Sequence, residues 1–366
     1  MVKRMKVAYM FGSMNRGGAE TIMLDVFRNY RNAPFSFIGI HRKGGAYMEE
    51  FYAAGPSLYR LAPKRLGYLQ YLLRLRQLLK RENITVVHTQ HWLDCIYTWL
   101  ATIGMQVKIV NTFHGFYSMK GINGVLCRSS IRMANDVCFV SKYEQEWYQK
   151  QIYIADSKCH VIYNGIDFSK IDSVEPSIEF QDNSRPRLAM VGNFMPGRDH
   201  LTLVRALHLL NERGLKDFVF VFAGKRVEDH SDIFDECKRI CEENKINNIH
   251  FLGARSDVPA LLKTMDGFVY STAHDTFGIA VVEAMAVGLP VVVNDWPVMK
   301  EVCGDAAAYF KSKDVEDCAD AIVELLAELP QRKDAAKRNA AIIRNKYSIE
   351  AYLARLNAVY CVKCKV

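Results

Sequence analysis

Two α/β domains of the doubly wound, Rossmann-like kind, facing one another across a cleft, are what this sequence predicts. Three observations carry that prediction. Short β-branched runs alternate with longer amphipathic segments, the pattern of successive βα units and mostly parallel sheets. The length of 366 residues exceeds what one core ordinarily serves. Residues 168–186 are rich in Asp, Ser, Glu and Pro, have no sustained period, and read as an interdomain linker.

In chain order, strands are expected at 6–11, 35–40, 85–88, 107–111, 136–140 and 159–162, then at 187–191, 218–223, 249–252, 267–270 and 290–293. This gives an N-terminal domain over 1–168, a linker over 169–186 and a second domain over 187–345. The remaining 346–366 carry a helix over about 349–360, expected to pack back on the first domain. A leucine- and tyrosine-rich amphipathic helix is expected over 66–79. In such sheets ligands meet the loops that follow strands, so chemistry is sought there.

Composition narrows the function classes. Half the residues are hydrophobic and 24% are charged, the balance of a soluble globular chain. The net charge is +8. Residues 1–180 hold 23 Lys and Arg against 14 Asp and Glu, and the remainder 25 against 26, so the basic excess belongs to the first half. Part of it surrounds the 66–79 helix: Lys64, Arg65, Arg74, Arg76, Lys80 and Arg81. They form a candidate acceptor or membrane face, with an anionic membrane surface as its partner. Nucleic acid is not an expected partner, because clustered cations interleaved with exposed aromatics are missing. The longest apolar stretch, 280–293, is broken by Glu283, Gly288 and Pro290, so no membrane span is expected. The apolar run 7–11 is too brief for a signal peptide, and ten cysteines without framework spacing fit a reducing cytoplasm. Cys361 and Cys364 lack the second pair a metal site needs, so no metal is expected.

Five motifs lie on post-strand loops. Gly17 and Gly18 sit between the first strand and a helix, where free N–H groups and a positive dipole end can receive phosphate. The spacing is not that of a dinucleotide fingerprint. His114, before Gly115, follows the strand at 107–111, and its ring can donate to a sugar hydroxyl. His88 and His91 flank the preceding strand end as weaker candidates. In the second half, Asn193 and Arg198 follow the strand at 187–191, and Arg198 can present two N–H groups to a phosphate. Gly224, Lys225 and Arg226 follow the next strand. The last motif runs from Asp275 through Thr276, Phe277, Gly278 and Ile279 to Glu283. A carboxylate on an otherwise apolar helix is costly to bury unless a donor-rich ligand compensates it, and the amides at the helix start can hold a diphosphate.

Gly17-Gly18-Ala19-Glu20, His114-Gly115, Asn164-Gly165-Ile166-Asp167, Val191-Gly192-Asn193, Arg198 and the Asp275-to-Glu283 spacing together resemble family 4 of the retaining glycosyltransferases, with the two-domain GT-B fold. The resemblance implies a nucleotide-sugar donor held mainly by the C-terminal domain and an acceptor held mainly by the N-terminal one. Cofactors are none: the nucleotide sugar is a substrate and no metal is obligatory. Glu283 then matches the ribose-binding glutamate, Asp275 the acid contacting the transferred sugar, and Gly278 and Ile279 the diphosphate-binding amides. Gly18 closes on the phosphate, and His114 lies near the donor sugar. Base contacts are expected near Arg255 and Val258. The chain departs from the family in carrying Asn193 where a second phosphate-binding cation is usual, which Lys225 or Arg226 could partly replace, and Asp275 where Glu is usual. The resemblance also implies same-face attack, the leaving phosphate taking the acceptor's proton. The segment 164–186 and the C-terminal helix are then hinge candidates. UDP is the favoured nucleotide, with His114, Arg198 and Asp275 as catalytic candidates. The expected function is transfer of a sugar to a glycan or lipid-linked acceptor in cell-surface polysaccharide or glycolipid synthesis, in the cytoplasm or at the inner face of the plasma membrane. A nucleotide-sugar 2-epimerase of the same fold is the alternative, and a basic binding protein without catalysis the alternative of another class.

Overall fold

The computed structural model describes residues 5–177 and 184–361. They form two compact units. The first holds the chain up to Asp167 and again from Tyr347; the second is Phe168–Lys346. Of the expected linker, 178–183 lie outside the described residues. Its beginning is a short helix, and Ser177 donates its N–H to the Ala260 carbonyl at 3.1 Å within the second unit.

The first unit is a seven-stranded parallel sheet: β1 (Lys6–Phe11), β2 (Ser36–His41), β3 (Leu58–Arg60), β4 (Val86–Thr89), β5 (Lys108–Phe113), β6 (Asp136–Phe139) and β7 (Cys159–Val161). The order is β3-β2-β1-β4-β5-β6-β7, so the winding reverses between β1 and β4. The connecting helices are α1 (Gly18–Arg28), α2 (Met48–Ala53), α3 (Pro63–Leu66), α4 (Tyr68–Arg81), α5 (Trp92–Thr102), α6 (Gly121–Met133) and α7 (Lys142–Gln149). β1 is continuously apolar from Val7 to Phe11 because helices cover both its faces.

The second unit has six parallel strands: β8 (Arg187–Val191), β9 (Val219–Ala223), β10 (Ile249–Gly253), β11 (Gly267–Tyr270), β12 (Val291–Asn294) and β13 (Ala307–Phe310). Their order, β10-β9-β8-β11-β12-β13, reverses between β8 and β11. Its helices are α8 (Ser169–Asp172), α9 (His200–Glu212), α10 (Ser231–Glu243), α11 (Val258–Thr264), α12 (Ile279–Val287), α13 (Pro297–Cys303), α14 (Val315–Ala327) and α15 (Leu329–Tyr347), the last reaching the boundary residue.

Two expectations change. The helix expected over 66–79 is α4, which begins at Tyr68 and runs to Arg81, because Gly67 at φ +77° leaves the helical region and separates it from α3. The edge strands β3 and β13 were not expected. Both are short and pair on one side only, so neither needs the continuous apolar run that marks a central strand.

The C-terminal helix α16 (Ile349–Cys361) belongs to the first unit, with Tyr352, Leu353, Leu356, Val359 and Tyr360 buried. Tyr360 donates its hydroxyl hydrogen to Tyr9 at 3.0 Å, so it accepts from His88 Nδ1 at 2.6 Å, and Nε2 then accepts from the Thr112 hydroxyl at 2.6 Å. Lys108 Nζ donates to the Val359 carbonyl at 2.5 Å. The chain leaves this unit and returns to it side by side, since Ile166 N–H donates to the Tyr347 carbonyl at 2.9 Å and Ile349 N–H to Ile166 at 3.1 Å. Among the described cysteines Cys361 is exposed and Cys159 half-buried, the others being buried. Cys364 lies outside the described residues.

Candidate active site

In the second unit the strand order reverses between β8 and β11, the position at which sheets of this kind bind ligands. Arg198, from the β8 loop, and Asp275, from the β11 loop, meet there in an ion pair. Asp275 is 6% exposed, and its other carboxylate oxygen accepts the Tyr270 hydroxyl at 2.6 Å. The Arg198 guanidinium lies 5.8 Å from the centre of the Tyr270 ring, and its Nε is buried without a hydrogen-bond partner. Burial raises the Tyr270 pKa, so this hydroxyl stays a donor.

Backbone contacts fix the two loops together. Ala273 N–H and the Thr272 hydroxyl both donate to the Gly197 carbonyl, at 3.0 and 2.8 Å. Asp199 N–H donates to Ser271 at 3.0 Å. The Asn294 amide, from the end of β12, grips Thr272 on both sides: it accepts from the Thr272 N–H at 3.0 Å and donates to its carbonyl at 2.7 Å. Trp296 Nε1 donates to the Asp275 carbonyl at 2.9 Å. Gly197 has φ +94°, and a Cβ there would come within 2.8 Å of the His274 side chain.

Gly278 caps α12 in the left-handed conformation, at φ +85°. That turns Ile279 into the first turn of a helix whose Val281, Val282, Ala284, Met285 and Ala286 are buried, while Glu283 is half-buried among them. Phe277 is buried and Thr276 half-buried before it.

Other expected donor residues have structural partners. Asn193 is exposed, and its side-chain Oδ1 accepts the Lys225 N–H at 2.9 Å, tying the β8 loop to the β9 loop. Gly224 is required, because a Cβ there would collide with the Gly192 carbonyl. Lys225 is exposed, and Arg226, also exposed, makes a two-pronged pair with Asp235, at 3.0 and 2.7 Å. Arg255 pairs with Asp257 at 2.6 Å, and Val258 opens α11.

In the first unit the reversal lies between β1 and β4. After β1, Gly17 caps α1 and Gly18 begins it; Ser13 donates its hydroxyl to Glu20 at 2.9 Å. His114, after β5, contacts Gln90 Oε1 through Nε2 at 2.8 Å, so Nε2 carries the hydrogen. Burial pushes its pKa down to about 4, and the ring is neutral at pH 7. His88 lies in the buried chain with Tyr360 described above. His91 Nδ1 accepts the Leu93 N–H at 3.1 Å and caps α5. Both are structural.

The basic face is narrower than expected. Lys64, Arg65, Arg74 and Lys80 are exposed, but Arg76 donates to the Ala101 and Ile103 carbonyls at 2.9 and 2.7 Å and closes the end of α5. Arg81 is exposed but contacts Glu82 at 3.3 Å and lies over the Tyr59 ring. Beside these cations Tyr68, Leu69 and Leu73 are 63%, 74% and 51% exposed. No helix among the described residues is long and apolar enough to cross a membrane.

Sequence reasoning missed Tyr270, Thr272, Asn294 and Trp296. Tyr270 had a signal, a hydroxyl at the last position of a strand leading into the acidic loop; the others act through backbone contacts that spacing does not reveal.

Two family models together cover most of the chain: glycosyltransferase family 4 over residues 16–170 and glycosyl transferases group 1 over 174–341. The chain is 25% identical, over 80% of both sequences, to the Escherichia coli UDP-Gal:alpha-D-GlcNAc-diphosphoundecaprenol alpha-1,3-galactosyltransferase. It is 24% identical to the Campylobacter jejuni N,N'-diacetylbacillosaminyl-diphospho-undecaprenol alpha-1,3-N-acetylgalactosaminyltransferase, over 73% of this chain and 74% of that one. Among solved structures it matches a Rickettsia africae glycosyltransferase with a TM-score of 0.84, at 19% identity over 98% of both chains. It matches HepE from Anabaena, solved with UDP and glucose, with a TM-score of 0.83 at 18% identity, over 98% of this chain and all of that one. Two Rossmann-like units, the glycine-capped α12 and matches along both halves lead to one conclusion: the chain belongs to glycosyltransferase family 4, with the GT-B fold.

Proposed function

We propose that the protein is a retaining hexosyltransferase that moves a sugar from a UDP-sugar to a hydroxyl of a lipid-linked or glycan acceptor. The observation that carries this reading is the meeting of Arg198, Asp275 and Tyr270 at the switch point of the second sheet, on the loop that leads into the N-terminus of α12. Departure of a nucleoside diphosphate needs its growing negative charge stabilised, and a positioned guanidinium with helix-terminal amides supplies this without a metal. Arg198 and the amides of Gly278 and Ile279 receive the diphosphate, Glu283 accepts from the ribose hydroxyls, and Asp275 orients Arg198 and faces the sugar. Gly17, Gly18 and His114, at the strand ends of the first unit, are the residues that the family resemblance assigns to the phosphate and to the donor sugar. The acceptor hydroxyl attacks on the face from which the diphosphate leaves, and a diphosphate oxygen takes its proton.

The two diphospho-undecaprenol transferases among the relatives support a lipid diphosphate as the acceptor's anchor, and HepE supports UDP. The work fits the cytoplasmic face of a membrane, in surface polysaccharide or glycolipid assembly. Lys64, Arg65, Arg74 and Lys80 beside Leu69 and Leu73 suit an anionic bilayer.

Thermal denaturation with UDP-, GDP- and ADP-sugars tests the donor: a UDP-sugar raises the Tm of the native chain and not of Glu283→Ala. If no nucleotide sugar stabilises the native chain, the reading fails. Membrane docking is read by cosedimentation with phosphatidylglycerol vesicles at low salt, which Lys64→Glu/Arg65→Glu/Arg74→Glu should abolish.

A further inference from the structure

We propose that Arg42 is the anion-reading residue of the acceptor site, and that the group it reads is a diphosphate joined to a hydrocarbon chain. The proposal rests on the glycosyltransferase reading above.

Arg42 follows β2 at the carboxyl end of the first sheet, next to the reversal between β1 and β4. Its N–H donates to the Phe11 carbonyl at 3.3 Å, and Lys43 N–H to Gly12 at 3.0 Å, so the loops after β1 and β2 run together. Gly12 leaves the guanidinium its space, since a Cβ there would lie 3.0 Å from Arg42 Nη2. Asp94, in the first turn of α5 after β4, is fully buried and accepts from Arg42 Nε at 2.6 Å and from Nη2 at 3.3 Å.

This pairing uses one edge of the fork. The N–H groups of Nη1, and the second of Nη2, point away from Asp94, and the side chain is 17% exposed. Holding a carboxylate at zero exposure is costly, and a buried pair contributes little to stability compared with apolar packing. What it does supply is a guanidinium fixed before a ligand arrives, with the geometry a phosphate requires.

The surroundings argue for an amphipathic ligand. Arg42 and Asp94 act electrostatically on the hydroxyls of Tyr71 and Tyr97. The Tyr71 and Tyr97 rings are 5.2 Å apart, and the Tyr97 and Tyr68 rings 6.2 Å. Tyr68 then borders the exposed Leu69 and Leu73 of α4. The half-buried Tyr97 and the exposed Tyr68, backed by the buried Tyr71, thus lead from the guanidinium to the apolar, basic-rimmed face, so phosphate is read at one end and hydrocarbon at the other.

The test measures initial rates of the full chain with two soluble acceptors carrying the same sugar: a short-chain polyprenyl diphosphate conjugate and an octyl glycoside. Arg42→Lys should raise KM for the diphosphate acceptor about tenfold, and Arg42→Met/Asp94→Leu, which removes both charges together, about a hundredfold. KM for the octyl glycoside and for the donor should stay unchanged in both. Inorganic pyrophosphate should compete with the diphosphate acceptor in the native chain and lose that effect in the double variant. Equal losses on both acceptors would make the pair purely structural and overturn the proposal. So would weakened binding to phosphatidylglycerol vesicles with an unchanged acceptor KM, which would assign Arg42 to lipid headgroups. Should Arg42→Lys leave the diphosphate acceptor unaffected while donor binding and transfer persist, the inference fails and the transferase reading stands. Absence of donor binding in the native chain would defeat both.

Discussion

The two units share one architecture and place different groups at its switch point. At the switch point of the second, Arg198, Asp275 and Tyr270 form a charged cluster beside an apolar helix. At that of the first, the histidines are held neutral by burial: His88 with a pKa of about 3, and His91 and His114 at about 4. Burial in the first unit keeps these rings neutral across physiological pH, so their donors and acceptors stay fixed beside the Arg42–Asp94 pair, whereas Arg198 and Asp275 present charge in the second.

Acid is the strongest way to break the comparison. A histidine whose folded pKa lies below its unfolded value near 6.5 contributes stability above pH 6.5, and that stability is lost as pH falls toward the folded value. His88, His91 and His114 together predict a slope of about 4 kcal/mol per pH unit at its steepest, and His41, whose pKa burial also lowers, adds to it. His200 alone, at about 4, predicts about 1.4 in the second. Calorimetry at pH 7.5 and pH 5 should therefore show the first unit's transition moving further down in temperature; equal shifts would refute the contrast. Arg198→Ala should lower kcat/KM by about a thousandfold with the fold intact, by removing charge stabilisation of the leaving group. Glu283→Ala should raise the donor KM about 10- to 100-fold and leave acceptor KM alone, by taking away a charged hydrogen-bond acceptor. His114→Gln, which keeps a neutral polar side chain, should cost about tenfold or less in kcat. A loss as large as that of Arg198→Ala would mean that His114 carries charge.

Most of the fold was legible because central strands are continuous apolar runs: β1, β8 and β11 lie where periodicity places them. The edge strands β3 and β13 were not, being three and four residues long with at most one residue buried in each, whereas the edge strands β7 and β10 were. In the site, Arg198, Asp275 and the Gly278 cap stood out because charge and glycine are unusual at those positions. Arg42 and Asp94 did not, although Asp94 sits in Trp92-Leu93-Asp94-Cys95-Ile96, as conspicuous a carboxylate among apolar residues as Glu283. The cations that sequence offered to the ligand, Arg226 and Arg76, are engaged by Asp235 and by the end of α5, because a charge pattern does not reveal which partner folding brings to it.

The hydrogen-bonded chain from Thr112 through His88 to Tyr360 and Tyr9 has a consequence for the order of assembly during translation. Its last link is near the final described residue, yet it completes the core around β1, the first strand made. A ribosome therefore releases the whole second unit before the first can be finished. Until then the nascent sheet carries an uncovered apolar strip where Tyr352, Leu356 and Tyr360 will lie, and a stop codon shortly before Ile349 would leave it bare for good.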